Sequence, residues 1–295
     1  MKILIIGGSG RVGFNLTKYF SKNHEVFSTY FSKKFVYEKC HVKQLDATNN
    51  EETQKLFNEI KPEIVIHTAA LANVDLCEKE HELAELHNVK TTENIVDACK
   101  KINCKLVFFS TSYVFDGMKQ SYKEDDLTSP VTFYGKTKET SEKLVLKSEL
   151  SWLILRIDQP YDWIEGWQND NSVTRVIKKF QKKELVEDVV DWYNNPTFIH
   201  DLCVITSILL EEKKTGIYHA VGPDFINRFE WAKITAEIFG FEPEEIIPIS
   251  SDKLNISVKR AKVKLLNEKI VQETGYKLKN VREGISEMLE KNYSS

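Results

Sequence analysis

The chain has 295 residues and a mass of 34.2 kDa, and 41 Lys and Arg against 44 Asp and Glu leave a formal charge of −3 with a pI near 6.2. That balance argues against a main role on nucleic acid. With 41% hydrophobic residues, 12 Gly and 7 Pro, the composition is that of an ordinary globular chain able to bury a core, and it excludes a disordered, collagenous or disulfide-framed one.

The first half alternates short apolar, β-branched runs with longer helical patterns, the periodicity of parallel strands joined by crossover helices. Strands are expected at Lys2 to Ile6, Glu25 to Thr29, Val42 to Leu45, Glu63 to His67, Lys105 to Ser110 and Trp152 to Ile157, each nearly continuous in apolar residues, as strands buried on both faces are. Helices are expected at Arg11 to Lys22, Asn50 to Ile60, Glu80 to Ile102 and Tyr134 to Ser148, with a weaker one near Asp75; Asn49 and Asn50 offer an N-cap and Pro62 a stop. Beyond Ile157 the order becomes α+β, with helices at Val173 to Gln181, His200 to Glu212, Arg228 to Phe239 and Val281 to Glu290 and a strand at Gly216 to Ala220. The expected fold is therefore a Rossmann-like, doubly wound parallel α/β sheet over residues 1–157, with a smaller α+β substrate lobe over 158–295 packed on it as one body, some of whose segments return to the sheet. A cleft between the two is the expected ligand site.

No apolar run of about 18 residues marks a membrane span, and the run from Ile3 to Ile6 is too short for a signal-peptide core, so a cytoplasmic protein without a membrane partner is expected. Five cysteines without a Cys-x-x-Cys pair, and histidines without zinc-hydrolase spacing, imply neither a disulfide framework nor a metal.

Glycines at 7, 10 and 13 follow the first strand and open the first helix. Such a turn needs positive φ at Gly7, no side chain at Gly10 where backbone nears a pyrophosphate, and none at Gly13 where helix packs on strand. The helix then directs free N–H groups and its positive dipole end at the phosphates, which makes the loop a dinucleotide cradle. The acid that usually follows some 20 residues on to bind a ribose 2′-OH is missing. Ser28-Thr29-Tyr30-Phe31-Ser32-Lys33-Lys34 stands there instead, and its hydroxyls and two cations favour NADP(H) over NAD(H). Asp46, just past the third strand, offers an acceptor for the adenine amine or a helix cap.

Tyr134 and Lys138 are four apart at a helix start and so share one face. A phenol with a pKa near about 10 exchanges protons poorly at neutral pH unless a cation stabilises its phenolate, and Lys138 is that cation. Thr111 ends the fifth strand, where its hydroxyl can orient a carbonyl toward the phenol.

At these residues the chain resembles the extended short-chain dehydrogenase/reductases, and among them the dTDP-4-dehydrorhamnose reductase group, over nearly its whole length. The segments that carry the resemblance are Gly7 to Gly13, Leu45 to Thr48, His67 to Asp75, Asn88-Val89, Ser110 to Gly117, Tyr134 to Lys138, Leu155-Arg156 and Pro196-Thr197. The resemblance implies Thr111, Tyr134 and Lys138 as the catalytic set and Gly7, Gly10, Arg11, Val12 and Gly13 as the pyrophosphate loop. It further implies Asp46 and Ala47 at the adenine, Ala69, Ala70 and Leu71 beside the riboses, and Asn88 as a brace. Together with Tyr30 and Lys33 these form the expected cofactor site, and the implied reaction is reduction of a nucleotide-linked sugar ketone at C4.

Two positions depart from the group's pattern. Ser112 stands where a carboxylate is expected, and Gln159 where a Trp packs on the sugar. With Asn73 and Trp163 they are the expected substrate residues; Trp163 and Trp167, four apart, offer an aromatic face for a sugar or base or else pack a helix. Ser112 and Tyr113 argue against a dehydratase. An epimerase, and a regulatory subunit like the β subunit of methionine adenosyltransferase, remain as alternatives, with a homodimer and the identity of the sugar left open.

Overall fold

The computed structural model describes residues 1–293, which form two compact units. The first comprises Met1–Phe115, Leu127–Arg156 and Leu209–Tyr218 and the second Asp116–Asp126, Ile157–Ile208 and residues 219–293. The stretch from Asp116 to Asp126 falls in the second unit, and Leu209 to Tyr218 fall in the first.

The first unit is built on β1 (Lys2–Ile6), α1 (Arg11–Phe20), β2 (Glu25–Tyr30), β3 (His41–Gln44), α2 (Asn50–Ile60), β4 (Ile64–His67), α3 (Val74–Lys79), α4 (His81–Ala84), α5 (Thr91–Ile102), β5 (Lys105–Thr111), α6 (Phe133–Leu146) and β6 (Trp152–Ile157). The helix expected over Glu80 to Ile102 runs from His81 to Ile102 and carries a π-turn, Glu85–Lys90, between α4 and α5. Asn49 caps α2 by accepting the Glu52 N–H at 3.2 Å, and Lys61 ends the helix in the left-handed region.

The sheet has seven strands in the order β7-β6-β5-β4-β1-β2-β3, where β7 is Gly216–His219, and β1 pairs in parallel with both β2 and β4. The order reverses at β1 and β4, so their carboxyl ends form the switch point at which open α/β sheets bind ligands. Leu4, Ile6, Val65, Leu106, Phe108 and Ile154 project from the strands into a core shared with Phe57, Ile60 and Ile95 of the helices. Ile3, Ile5, Ile66 and Val107 are buried on the opposite face, and this two-sided burial explains why the strands read as continuous apolar runs.

In the second unit, α7 (Ser172–Gln181), α8 (Arg228–Ile238) and α9 (Val281–Tyr293) accompany three small strand pairs, among them the parallel pair Val186–Val189 with Ile246–Ile249. Tyr161, Val173, Phe198, Trp231 and Ile285 centre its core. Among the described residues no helix is long and apolar enough to cross a membrane, and no group of three His, Cys, Asp or Glu side chains is placed to hold a metal ion.

Candidate active site

The glycine turn has the backbone its sequence requires. Gly7 has φ +90°, and a Cβ there would lie 2.7 Å from the Ala69 nitrogen; a Cβ at Gly13 would lie 2.3 Å from the Gly7 carbonyl oxygen. Both contacts are closer than real Cβ atoms come, so only glycine permits the turn to lie against the start of the Ala69-Ala70-Leu71 segment. Gly10 is the N-cap of α1, with no side chain closing the cap and no acid in the first turn. Arg11 and Val12 are the next two residues of the helix, whose first turn thus carries no acid of its own to compete with an anion for the positive dipole end. The cradle fits a pyrophosphate.

Beside the turn lies a cavity of about 290 Å³ lined by Gly7, Thr29, Phe31, Asp46, Ala47, Thr48, Ala69, Ala70, Leu71, His87 and Thr91 among others. The structure thus brings the predicted Asp46, Ala47, Ala69, Ala70 and Leu71 to one cavity. One carboxylate oxygen of Asp46 accepts from the Thr48 N–H at 3.0 Å and from its hydroxyl at 2.7 Å, so the acid folds its own loop as well as facing the cavity. Tyr30 and Lys33 do not line it; Tyr30 meets Phe35 edge-on at 6.5 Å, and Lys33 is exposed. Thr29 accepts the Gly7 N–H at 3.2 Å, and Ser28 is held by Thr17 at 2.7 Å, so these two hydroxyls stabilise the turn and the packing of α1.

The start of α6 is held from several directions. The Thr132 hydroxyl caps it by accepting the Gly135 N–H at 3.0 Å, and Glu78 accepts the Phe133 N–H at 2.9 Å. Gly135 is needed because a Cβ there would lie 2.2 Å from the Tyr113 carbonyl oxygen. Asn88, on the π-turn, accepts from Leu71 N at 2.7 Å and donates to Leu71 O at 3.2 Å and to the Thr137 hydroxyl at 2.9 Å, which donates in turn to Tyr134 O. One buried amide therefore ties the segment after β4 to the helix that carries Tyr134.

Tyr134 is 9% exposed, its ring edge-on to Tyr113 at 5.8 Å, and Lys138 is 3% exposed. The Lys138 ammonium donates to Phe109 O at 2.8 Å and lies 4.0 Å from the Phe108 ring, which brings α6 onto the carboxyl end of β5 beside Thr111. Burial depresses its pKa from 10.5 to about 7, against a smaller upward pull from Glu142. Burial, with the Lys138 charge adding to it, also keeps His67 far below its ordinary range, so this imidazole is neutral. Thr111 accepts the Tyr113 N–H at 3.3 Å, which leaves its O–H proton to be donated.

Beneath Lys138 lies a group that sequence reasoning missed. Arg156 donates from Nε and Nη2 to Glu142 at 3.0 and 2.8 Å, and Ser110 donates to the same carboxylate at 2.5 Å. The signal was present, since Glu142 continues the face of Tyr134 and Lys138 by four residues. Both charged side chains are only 3% exposed. Glu142→Ala leaves Arg156 buried without its counter-ion and is expected to cost about 3–5 kcal/mol, to be read from denaturant unfolding; a loss below about 1 kcal/mol would contradict a tightly coupled pair.

The expected substrate residues fare differently. Asn73 caps α3 by accepting the Leu76 N–H at 3.0 Å, and Ser112 is buried in the turn that follows β5. Gln159, in the second unit, has φ +39°, a left-handed backbone that only its surroundings sustain. Trp163 donates from its indole to Met288 O at 2.8 Å and meets Phe239 edge-on at 5.8 Å. Its half-buried ring packs against the second unit's core, where the indole N–H finds a partner.

Sheet order, glycine turn and the Tyr-x-x-x-Lys helix together are those of the extended short-chain dehydrogenase/reductase class. The chain belongs to the family described as RmlD substrate binding domain, whose model matches residues 1–294. It is 30% identical to dTDP-4-dehydrorhamnose reductase of Aggregatibacter actinomycetemcomitans, over 78% of this chain and 76% of that one. It is 27% identical to spore coat polysaccharide biosynthesis protein SpsK of Bacillus subtilis over 100% and 99%, and 28% identical to methionine adenosyltransferase 2 subunit beta of Xenopus tropicalis over 85% and 76%. Among solved structures, dTDP-4-dehydrorhamnose reductase of Bacillus anthracis in complex with NADP matches with TM-score 0.85 and 25% identity, covering 98% of this chain and 99% of that one. The UDP-glucose 4-epimerase of Thermotoga maritima, 19% identical at TM-score 0.86 over 99% and 100%, shares the fold.

Proposed function

We propose that this protein is an NADP(H)-dependent reductase of the 4-keto group of a nucleotide-linked deoxysugar, with Tyr134 as general acid. The observation that carries the reading is the burial of Tyr134 and Lys138 on one face of α6, at the same end of β5 as Thr111 and on the side of the sheet where the glycine turn opens. The residues that would hold the cofactor are the turn Gly7 to Gly13 at the pyrophosphate, Asp46 and Ala47 at the adenine, Ala69 to Leu71 at the riboses, and Tyr30 and Lys33 near the 2′-phosphate. Bound there, a reduced nicotinamide supplies a hydride to an electrophilic carbon.

As charge develops on the carbonyl oxygen, Tyr134 gives it the phenolic proton. Lys138 stabilises the phenolate left behind, and the Thr111 O–H donates a hydrogen bond to the same oxygen. A phenolate at neutral pH needs this cation close by, and burial strengthens their attraction because little water screens it. The relatives named dTDP-4-dehydrorhamnose reductase support the substrate class.

Purified protein given NADPH and a dTDP-linked 4-keto-6-deoxysugar is expected to consume NADPH in step with loss of the ketone, and to do so faster than with NADH. Product without net consumption would mark an epimerase instead. The likeness to methionine adenosyltransferase 2 subunit beta favours a second reading, a regulatory subunit; no turnover on dTDP-, UDP-, GDP- or CDP-linked keto sugars, with co-purification of a larger enzyme whose kinetics change, would select it.

A further inference from the structure

The cavity beside the glycine turn carries two aromatic rings that neither the glycine spacing nor the Tyr-Lys pair explains. Phe31 leaves the end of β2, is 53% exposed and lines the cavity. His87 lines it as well, and the two ring centroids are 5.9 Å apart at a 59° tilt. The backbones that carry them are held. Gln44 donates to Phe31 O at 3.2 Å. His87 stands on the π-turn next to Asn88, whose side chain is locked to Leu71 and Thr137 and whose carbonyl accepts from Thr92 at 2.7 Å and Ser141 at 3.0 Å. Single π-turns within helices concentrate at functional sites, because the extra residue re-aims the side chains around it. Across the cavity, Asn94 donates to Ala47 O at 3.0 Å and Thr48 O at 2.9 Å, fixing that wall.

The lining also states the chemistry of the occupant. No Lys or Arg is among the lining residues, whereas Thr29, Asp46, Thr48 and Thr91 offer hydroxyls and a carboxylate. Two rings with a rim of neutral donors and an acceptor suit a planar, uncharged heteroaromatic with a polar edge, and do not suit a phosphate. The volume, about 290 Å³, is roughly twice the cavity of about 150 Å³ that admits benzene.

We infer that Phe31 and His87 are the two faces of an adenine slot, and that the tilted contact between them is the slot closed on itself. The inference rests on the cofactor reading above and adds to it the residues that set affinity for the adenosine half. Adenine is common to NADPH and NADH, so the slot holds both alike; discrimination at the 2′-position falls to Tyr30 and Lys33.

Calorimetric titration of the wild type, Phe31→Ala and His87→Ala with NADPH, NADH, ADP-ribose and nicotinamide mononucleotide tests this. Stacking on an aromatic side chain predicts that each variant weakens NADPH, NADH and ADP-ribose by about tenfold. The NADPH-to-NADH ratio and the affinity for nicotinamide mononucleotide should stay at their wild-type values, and His87→Phe should restore binding. Unchanged or tighter binding of ADP-ribose in the variants, with the wild type binding normally, overturns the slot and leaves the cofactor reading standing. A wild type that binds none of the adenosine ligands brings down both. Should His87→Ala fail to fold, exposed Phe31 provides the same test alone.

Discussion

Tyr134→Phe is expected to reduce turnover on a keto sugar on the order of 10²-fold or more while the melting temperature and the dissociation constant for NADPH stay near wild type. The ring lies among Cys77, Ala84, Leu71, Val74, Tyr113 and Phe133, and phenylalanine keeps every one of those apolar contacts. Only the phenolic O–H is lost, and with it the group able to protonate the carbonyl oxygen as charge gathers there. Steady-state kinetics beside a thermal melt separates the two effects. Undiminished turnover would take Tyr134 out of the mechanism, and a large fall in melting temperature would mean that the hydroxyl holds the fold.

Lys138→Met is expected to make the protein more stable and a much poorer catalyst. The ammonium is fully buried and its pKa falls to about 7, from 10.5 in a solvated lysine. Between those two values the unfolded chain binds more protons than the native one, so this group's contribution to stability improves as pH rises. Its cost is full below about pH 7 and disappears toward pH 10.5; the limiting cost is several kcal/mol, about 1.4 for each unit of depression. Methionine fills similar volume without charge, so at pH 7 the variant should melt several degrees higher, at roughly 2–4 °C per kcal/mol. Its stability should also rise less between pH 7 and 10 than that of the wild type. Turnover should fall at least tenfold, since the phenolate loses its cation. A variant that melts lower would show that the bond to Phe109 O contributes more than the burial costs. Retention of so unfavourable a charge is the pattern of a residue kept for function.

The first unit's strands and helices were legible because each announces itself over consecutive residues: two-sided burial gives continuous apolar runs, and Asn49 or Thr132 caps a helix within three residues of itself. The glycine turn was legible for the same reason, since the steric demand at Gly7 and Gly13 is met inside one strand-turn-helix segment. Tyr134 and Lys138 could be paired from spacing because the helix itself sets their relative position.

Tertiary structure decided what spacing cannot encode. Glu142 and Arg156 lie on a helix and a strand, Asn88 reaches Leu71 and Thr137, and Phe31 meets His87 across more than fifty residues. Each of these pairings depends on which of several helix faces turns inward and on the register at which it packs. Trp163 shows the converse. Its spacing from Trp167 suited a ligand face as well as a core, and its bond to the carbonyl of Met288 and its contact with the ring of Phe239 come from residues far along the chain. Sequence by itself determined the elements and the local chemistry of the turn and the helix, because those are short-range steric and hydrogen-bonding constraints. The buried ion pair under the lysine, the brace and the aromatic slot came from long-range packing, where the burial of apolar surface selects one arrangement among many that the same local pattern allows.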